Sequence, residues 1–498
     1  MRNLTHGVGR ALGAALLAAS LGACGDFIND VPGNENVVQN ASVGQLMTSI
    51  QLNTWLLNEG HLSRISSLWT NQMAGIDRQF SSLDKYVFGE DETDEEMSQL
   101  YPGGGLEDIR LARARADSNS LSHTSAVLKI HEAFLFGMGA SIWGDLPYSQ
   151  ALGGAANPQT PVDAQEAVYA AVQTLLDQAI TTLATAPSAS DAALLADRDM
   201  SFGGNAAAWR QVAYSLKARL YMHWVEAQAA GGAAATAANT ACTGNCVTKA
   251  LAAAQNGINT AAGNWTSVHS TASTEANWWF QFNSERSGYV AAGALMVDSM
   301  KARGDPRLAK YFAGPSSIGS KPGQDNGAAT PLNTETGGIA ASDAGMPLIT
   351  CAETQFIIAE AQYRLGATAA ANTALQNGIL CQEAHFGVNI PDVPALAGLP
   401  LLHEIMMQKY FANFLNMETW NDYKRTCQPN IAAGVKVGGS LANKPIPARV
   451  FFGESERQSN PNLDEPGNYD LSQGNNGSRN RNDPVACSSA SMTGLPGA

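Results

Sequence analysis

The chain has 498 residues, 45% of them hydrophobic and 15% charged, which suffices for a sizeable core and argues against extensive disorder. Its formal net charge is −14 and it has no cluster of Lys and Arg, which argues against a nucleic-acid partner, because binding phosphates requires clustered cations. Ala, Gly, Asn, Ser and Thr abound while Lys is scarce, so the expected surface is polar but weakly charged.

The first residues read as an export signal. Arg2, His6 and Arg10 form a weakly basic start, and 11–21 is an apolar run too short to span a bilayer as a helix. It closes on Leu21-Gly22-Ala23-Cys24. A small-residue site would serve ordinary secretion, but Leu-x-x-Cys resembles the lipobox of bacterial lipoproteins, in which the Cys is acylated and begins the mature chain. The expectation is a signal peptide over 1–23 and lipidation at Cys24, each buried methylene of the acyl chains contributing about 0.8 kcal/mol to anchoring. No later run is long and apolar enough for a membrane helix, so the body is expected to be tethered rather than inserted.

The spacing of Val43, Leu46, Ile50 and Leu57 predicts a helix over 42–59, with Gly60 as its C-cap. Residues 61–88 read as helical and then irregular, with polar side chains among Trp69, Phe80 and Tyr86. The acidic run 90–96 lacks the Gly and ligand spacing of a calcium-binding EF-hand and is expected to be a solvated loop. Val127, Ile130, Phe134, Met138 and Ile142 form the stripe of a long buried helix. That helix runs into Trp143-Gly144-Asp145-Leu146-Pro147-Tyr148. This segment looks at first like an active-site loop, but it is better read as a scaffold corner, with two packed rings and Asp145 capping amides within the turn.

After a Gly/Ala/Pro-rich linker over 153–160, Asp163 is the expected N-cap of a helix with Glu166 three residues on. Val168, Val172, Leu175, Leu176, Ala179 and Leu183 form its stripe, and Trp209, Val212, Leu216, Leu220 and Trp224 mark another helix. The low-complexity stretch 228–241 is expected to be a mobile loop, and 247–262 to resume a helix. Periodicity weakens over 265–347 except near 293–303. Helices follow over 352–365, 367–380 and 401–415, the last with Met406, Tyr410 and Phe414 on one face, and loops from 426 onward.

Six cysteines remain beyond Cys24, an even number that in an exported chain points to disulfides. Cys242 and Cys246 flank a Thr-Gly-Asn turn. Cys351 opens one predicted helix and Cys381 closes the next, ends that lie side by side in an antiparallel pair. Cys427 with Cys487 follows by elimination. Zinc is the competing reading and lacks paired Cys-x-x-Cys or His-x-x-x-His spacing. No metal or cofactor is expected. Helices in consecutive pairs suggest a tetratricopeptide-like scaffold without the strict signature. The predicted class is mainly α, a single domain over 24–498. Its helix pairs fall within 123–262 and 350–417, its long irregular portions cover 263–349 and 426–498, and its strands are few and short.

Several stretches together resemble the SusD/RagB-type nutrient-binding outer-membrane lipoproteins. They are Cys24 with Asp26-Phe27-Ile28-Asn29, the Trp143–Tyr148 motif, Trp209 with Tyr214-Ser215-Leu216-Lys217-Ala218-Arg219, and Asp305-Pro306-Arg307-Leu308. Next come Pro347-Leu348-Ile349-Thr350 with Glu353, Ala359-Glu360-Ala361, and Ile405 with Gln408-Lys409-Tyr410. The last are Glu418-Thr419-Trp420 with Tyr423-Lys424-Arg425, and Ile446-Pro447-Ala448-Arg449 with Glu456 and Asn460. The chain departs from typical members in being Ala-rich, poorer in Lys and Tyr, and in having six mature cysteines. The resemblance implies helix pairs supporting a less regular ligand-binding region, no catalysis, and a SusC-like TonB-dependent transporter as partner. It also implies an oligosaccharide ligand ahead of a peptide, and a cell-surface place on the outer membrane.

Sugar recognition needs flat aromatic faces for pyranose C–H groups and planar polar groups at the ring edges. The richest such segment joins Asn277, Trp278, Trp279, Phe280, Gln281 and Phe282 to Arg286 and Tyr289, with some of its rings necessarily facing the core. Asn277, Trp278, Trp279, Gln281, Arg286 and Tyr289 are its candidate ligand contacts. A second candidate joins Trp69, Asn71, Gln72 and Arg78, which could equally pack on the next helix. Two alternatives are a helical scaffold lipoprotein for outer-membrane assembly and a polysaccharide-degrading enzyme. For the enzyme, no nucleophile elbow, zinc-protease motif or phosphate-binding loop is present.

Overall fold

The computed structural model describes residues 41–153, 159–314, 316–431, 446–463, 479–483 and 487. The expected signal peptide, Cys24 and the residues after it up to 40 lie outside that set, as does most of the 153–160 linker.

Helices α1 (Val43–Glu59) and α2 (His61–Trp69) meet at Gly60. Gly60 is not the left-handed C-cap expected. Its φ is −76°, it precedes α2 as N-cap, and a Cβ there would stand 2.6 Å from the Leu56 carbonyl oxygen. Strand β1 (Met73–Gly75), α3 (Arg78–Asp84), a short 3-10 turn (Glu90–Thr93) and α4 (Asp94–Ser98) follow. The acidic run is therefore helical and not a solvated loop. Glu92 bonds His61 at 2.6 Å, Glu90 pairs with Arg457 at 2.6 Å, and Asp94 accepts from Ser455. Partners thus offset the repulsion that would keep such a run extended.

Helix α5 (Leu106–Ser118) leads to α6 (Ser122–Trp143), which is buried on all sides rather than along one stripe. Gly137 and Gly139 allow Leu220 and Leu100 to approach its backbone, at 2.8 Å and 2.9 Å from where a Cβ would sit. Its partner α7 (Gln165–Thr182) packs along it. The corner between them exchanges caps. Asp145 Oδ1 accepts from the Gln165 amide at 2.8 Å, so it caps α7 and not its own turn. Asp163, the expected cap of α7, instead accepts from the amides of Tyr148 (3.0 Å) and Ser149 (2.8 Å).

Next come α8 (Ala189–Arg198), α9 (Ala206–Met222), α10 (Val225–Ala230), α11 (Gly232–Cys242) and α12 (Cys246–Ala254). The stretch expected to be a mobile loop is thus two helices parted at Gly231, whose φ is +76°. Alanine has the highest helix propensity, and here Ala237, Ala238 and Ala241 are also buried. Strand β2 (Trp265–Thr266), α13 (Trp278–Glu285), β3 (Val290–Ala292), α14 (Ala294–Arg303), α15 (Leu308–Tyr311) and β4 (Pro347–Ile349) form the less regular part. β1 pairs antiparallel with β3, Met73 opposite Ala292, and β2 with β4, Trp265 opposite Ile349.

The chain closes with α16 (Cys351–Arg364), α17 (Thr368–Phe386), α18 (Gly398–Ala412), α19 (Glu418–Thr426) and α20 (Glu454–Ser459). Because α18 stops at Ala412, Phe414 lies beyond it and stacks on Tyr311 at 4.4 Å. The helix pairs α6/α7, α9/α12 and α16/α17 pack in the tetratricopeptide-like manner, with α16 also against α12 and α18. The fold is mainly α with a few short strands. Disulfides join Cys242 to Cys246, Cys351 to Cys381, and Cys427 to Cys487.

Candidate ligand-binding cleft

A cleft of about 820 Å³ opens between α1 and α13. Helix α1 contributes Leu52, Asn53, Trp55 and Leu56. The turn after α4 gives Gln99, Pro102 and Gly103, and Met200 closes one side. The other wall is the loop Val268–Ala276 and the first turns of α13, with Trp278 and Gln281. Leu52 (52% exposed), Val268 (51%), Trp278 (39%) and Met200 (37%) all belong to this lining. Apolar groups left in water within one concavity mark a binding surface more strongly than the same groups scattered. Among the described residues, no Lys or Arg lines it.

Local hydrogen bonds fix the loop wall. The Ser270 hydroxyl donates to Glu275 Oε2 at 2.6 Å, and its amide donates to the Glu275 carbonyl at 3.2 Å. Asn277 then starts α13, its Oδ1 accepting from the amides of Trp279 (2.9 Å) and Phe280 (3.1 Å), while its Nδ2 donates to Ala344 at 2.7 Å. With both ends engaged and the side chain fully buried, Asn277 positions the helix and does not line the cleft. Gln281 donates to the Ala276 carbonyl at 2.6 Å, which leaves its oxygen for the cleft.

At the cleft's inner edge, His269 Nε2 lies 2.9 Å from Glu59 Oε2 and 3.0 Å from the Ser267 hydroxyl. Its Nδ1 faces the Glu275 carbonyl at 3.1 Å. Burial lowers the affinity of His269 for its proton, but the hydrogen bond and charge of Glu59 outweigh this and leave its pKa raised. Burial also raises the Glu59 carboxyl, with His269 opposing. Both shifts favour a retained proton, so the pair behaves as a hydrogen-bonded strut joining the loop to α1.

The candidates read from sequence separate into three groups. Trp278 and Gln281 line the cleft. Trp279 is buried in the core, since the segment is a helix capped at Asn277 and adjacent residues point apart. Trp69, Asn71 and Gln72 are buried in the frame and do not line the cleft. Trp69 donates to the Leu83 carbonyl at 3.1 Å and packs edge-on against Trp420. Asn71 accepts from the Leu295 amide at 2.9 Å. Gln72 donates to the carbonyls of Tyr410 (2.9 Å) and Asn413 (3.1 Å) and accepts from Leu415 (3.0 Å). Arg78, Arg286 and Tyr289 do not line the cleft. Leu52, Trp55, Met200 and Val268 were not singled out from sequence. The available signal was that Leu52, Trp55 and Leu56 are large apolar residues of α1 outside its predicted stripe.

The family model described as "SusD-like_2: Starch-binding associating with outer membrane" matches residues 35–453. The chain belongs to the SusD-like family. Among solved structures, a SusD-like protein from Bacteroides thetaiotaomicron is 19% identical, with a TM-score of 0.69 over 90% of this chain and 100% of that one. A chitin-binding SusD homologue from Flavobacterium johnsoniae is 20% identical, with a TM-score of 0.68 over 89% of this chain and 98% of that one. A SusD homologue from Bacteroides fragilis is 21% identical, with a TM-score of 0.68 over 89% and 100%. At such identities the likeness establishes the shared fold. No curated protein matches the chain by sequence. Among the described residues, no helix is long and apolar enough to cross a membrane.

The SusD-like motifs among the described residues lie in the frame rather than in the cleft. Arg219 donates to Glu353 at 2.7 Å, with Glu418 4.0 Å away, and Arg307 pairs with Asp305 at 2.6 Å. Arg425 holds Glu360 at 2.6 Å and Asp422 at 2.6 Å. Burial would raise the Glu360 carboxyl, but Arg425 and Arg364 hold it well below the usual carboxylate range.

Proposed function

We propose that the protein captures nutrient oligomers, oligosaccharide ahead of peptide, in the cleft between α1 and α13. It then delivers them to a SusC-like TonB-dependent outer-membrane transporter. In this reading Cys24 carries the lipid anchor and the body stands at the cell surface. The observation that carries it is Trp278, a flat ring left 39% exposed within a concavity that also holds Gln99, Gln281 and Glu275. A pyranose face packs on such a ring while its hydroxyls bond the planar amides and the carboxylate. A lining without Lys or Arg among the described residues suits a neutral sugar at this position. The starch-binding description of the family and the chitin-binding neighbour favour glycan over peptide.

A glycan and peptide array on the purified chain identifies the ligand class. Trp278→Ala should then weaken binding by about 1–3 kcal/mol in calorimetry, without a change in unfolding midpoint. Unchanged affinity would reject the cleft. Co-purification separates transport from scaffolding, since a TonB-dependent barrel and an assembly barrel are different partners. Turnover of a polysaccharide, abolished by a single Glu→Gln change, would replace capture by catalysis.

A further inference from the structure

The far end of α13 carries groups that neutral-sugar capture does not use. Arg64 on α2 places its guanidinium carbon 4.7 Å from the centre of the Phe282 ring, and Arg286, just past the end of α13, stands 5.9 Å from the same ring. Arg78 stands 5.5 Å from Tyr289, and Phe80 packs at 5.1 Å from Phe282 and 6.3 Å from Tyr289. Three guanidinium groups thus gather on one aromatic patch of a chain whose carboxylates outnumber Lys and Arg by 44 to 30.

Their partners are poor. Among the described residues, Arg286 pairs only with Glu285 at 3.0 Å and Arg78 only with Asp77 at 3.8 Å, both exposed pairs between sequence neighbours, which contribute little. Arg64 is the anomaly. It is half-buried, and its Nε is shut off from solvent without an acceptor. No carboxylate lies within ion-pair distance of it among the described residues. Burial lowers the Arg64 pKa to about 10; the charge of Glu96 opposes this and that of Arg286 adds to it. Glu96 is itself pushed towards its neutral form by burial. A guanidinium nitrogen shut off from water without an acceptor is costly, and the planar fork that carries it fits a carboxylate or sulfate.

We propose that Arg64 and Arg286 form an anion subsite on Phe282 that takes the carboxylate or sulfate of an acidic saccharide. The neutral part of that saccharide lies against Trp278. The inference rests on the glycan reading above. Trp278 opens α13 and Arg286 follows its last residue, so the two are set apart by a helix about 10 Å long, which one oligomer can span. Arg78 and Tyr289 stand beside the subsite and widen its positive field.

The test uses the full chain with sodium sulfate, glucuronate, glucose and a triglutamate peptide as probes. The readouts are thermal unfolding and the arginine Nε–Hε resonances. Glucuronate should shift the Arg64 signal and raise the melting temperature, and glucose should do neither. Arg64→Gln should raise the glucuronate half-saturation point by about ten- to a hundredfold, the loss expected of a charge-assisted bond. The exposed Arg286→Gln should raise it severalfold and keeps the test valid if the buried variant misfolds. No response to either glucuronate or sulfate, or a response unchanged in Arg64→Gln, overturns the subsite. Tighter binding of triglutamate than of glucuronate overturns the saccharide assignment. Trp278→Ala separates the two readings, because it should weaken neutral-oligomer binding as stated above while leaving the glucuronate response intact.

Discussion

Trp278 and Trp279 are sequence neighbours placed about 100° apart around a helix, one in the cleft and one in the core. Trp279→Ala should therefore cost about 3–5 kcal/mol of stability in denaturant unfolding, where Trp278→Ala should cost affinity alone. Nothing in the pattern of that segment separates the two rings. The discriminating residue is Asn277, whose side chain turns an aromatic run into a capped helix and so decides which ring faces in. His131 supports a second prediction. Thr54 donates its only hydroxyl proton to Ile50 at 2.7 Å, so His131 Nδ1 must be the donor to Thr54 at 2.9 Å. Nε2 is then bare and without a partner, and the ring lies between Trp209 and Trp265. Burial lowers the pKa of this imidazole from 6.5 to about 3. The folded state then binds fewer protons than the unfolded chain, so stability is intact above pH 6.5 and falls as pH drops towards about 3. At about pH 4.5 the loss from this residue should be about 2–3 kcal/mol. His131→Gln should flatten that part of the stability-pH curve, and an unchanged slope would assign acid sensitivity elsewhere.

Elements that carry an apolar period, such as α7 and α9, could be found from sequence because one-sided burial imposes that period, and α6 because it is apolar nearly throughout. Two kinds of element could not. The Ala-rich α10 and α11 have too little contrast between faces, and their helicity comes from propensity and from small buried side chains rather than from a stripe. The caps of the α6/α7 corner are equally hidden, because each acidic residue serves the segment on the other side of the turn. Leu146 and Asp163 also pair backbone to backbone there, at 2.9 Å and 3.1 Å. Asp145→Ala removes the α7 cap together with an exposed ion pair to Arg481. Its expected cost is about 1–2 kcal/mol. Asp145→Asn keeps an oxygen for the Gln165 amide and should recover most of that loss in urea unfolding. Equal losses in both variants would mean that the ion pair, and not the cap, holds the corner.

At the scale of the whole molecule, the C-terminal segment ties the helix pairs together. Asn480 donates to the carbonyls of Ser141 (3.1 Å) and Ile142 (3.3 Å), and Asn482 accepts from Gln165 at 2.7 Å. Arg481 reaches Asp145 at 2.7 Å and Glu166 at 2.6 Å. This strap crosses the end of α6 and the start of α7, and the disulfide from Cys487 to Cys427 fastens it just beyond α19. The spacing of the cysteines suggested the pairing, but not that the last pair clamps the family's most recognisable corner, since the partners of a Gly/Asn-rich tail follow no period. The three bridges close loops of very different size, with separations of 4, 30 and 60 residues. Loop-closure entropy then ranks them at about 2, 4 and 4 kcal/mol, the longest being worth most. Replacing both Cys427 and Cys487 by Ser should lower the unfolding free energy by about 4 kcal/mol and loosen the strap. Hydrogen exchange at the Gln165 amide, which Asp145 caps beneath it, should rise as well. The Cys242, Cys246 double substitution should cost about half as much and leave that amide protected. If exchange at Gln165 is the same in both variants, the strap is held by its side-chain hydrogen bonds to α6 and α7, and the bridge acts only on the unfolded chain.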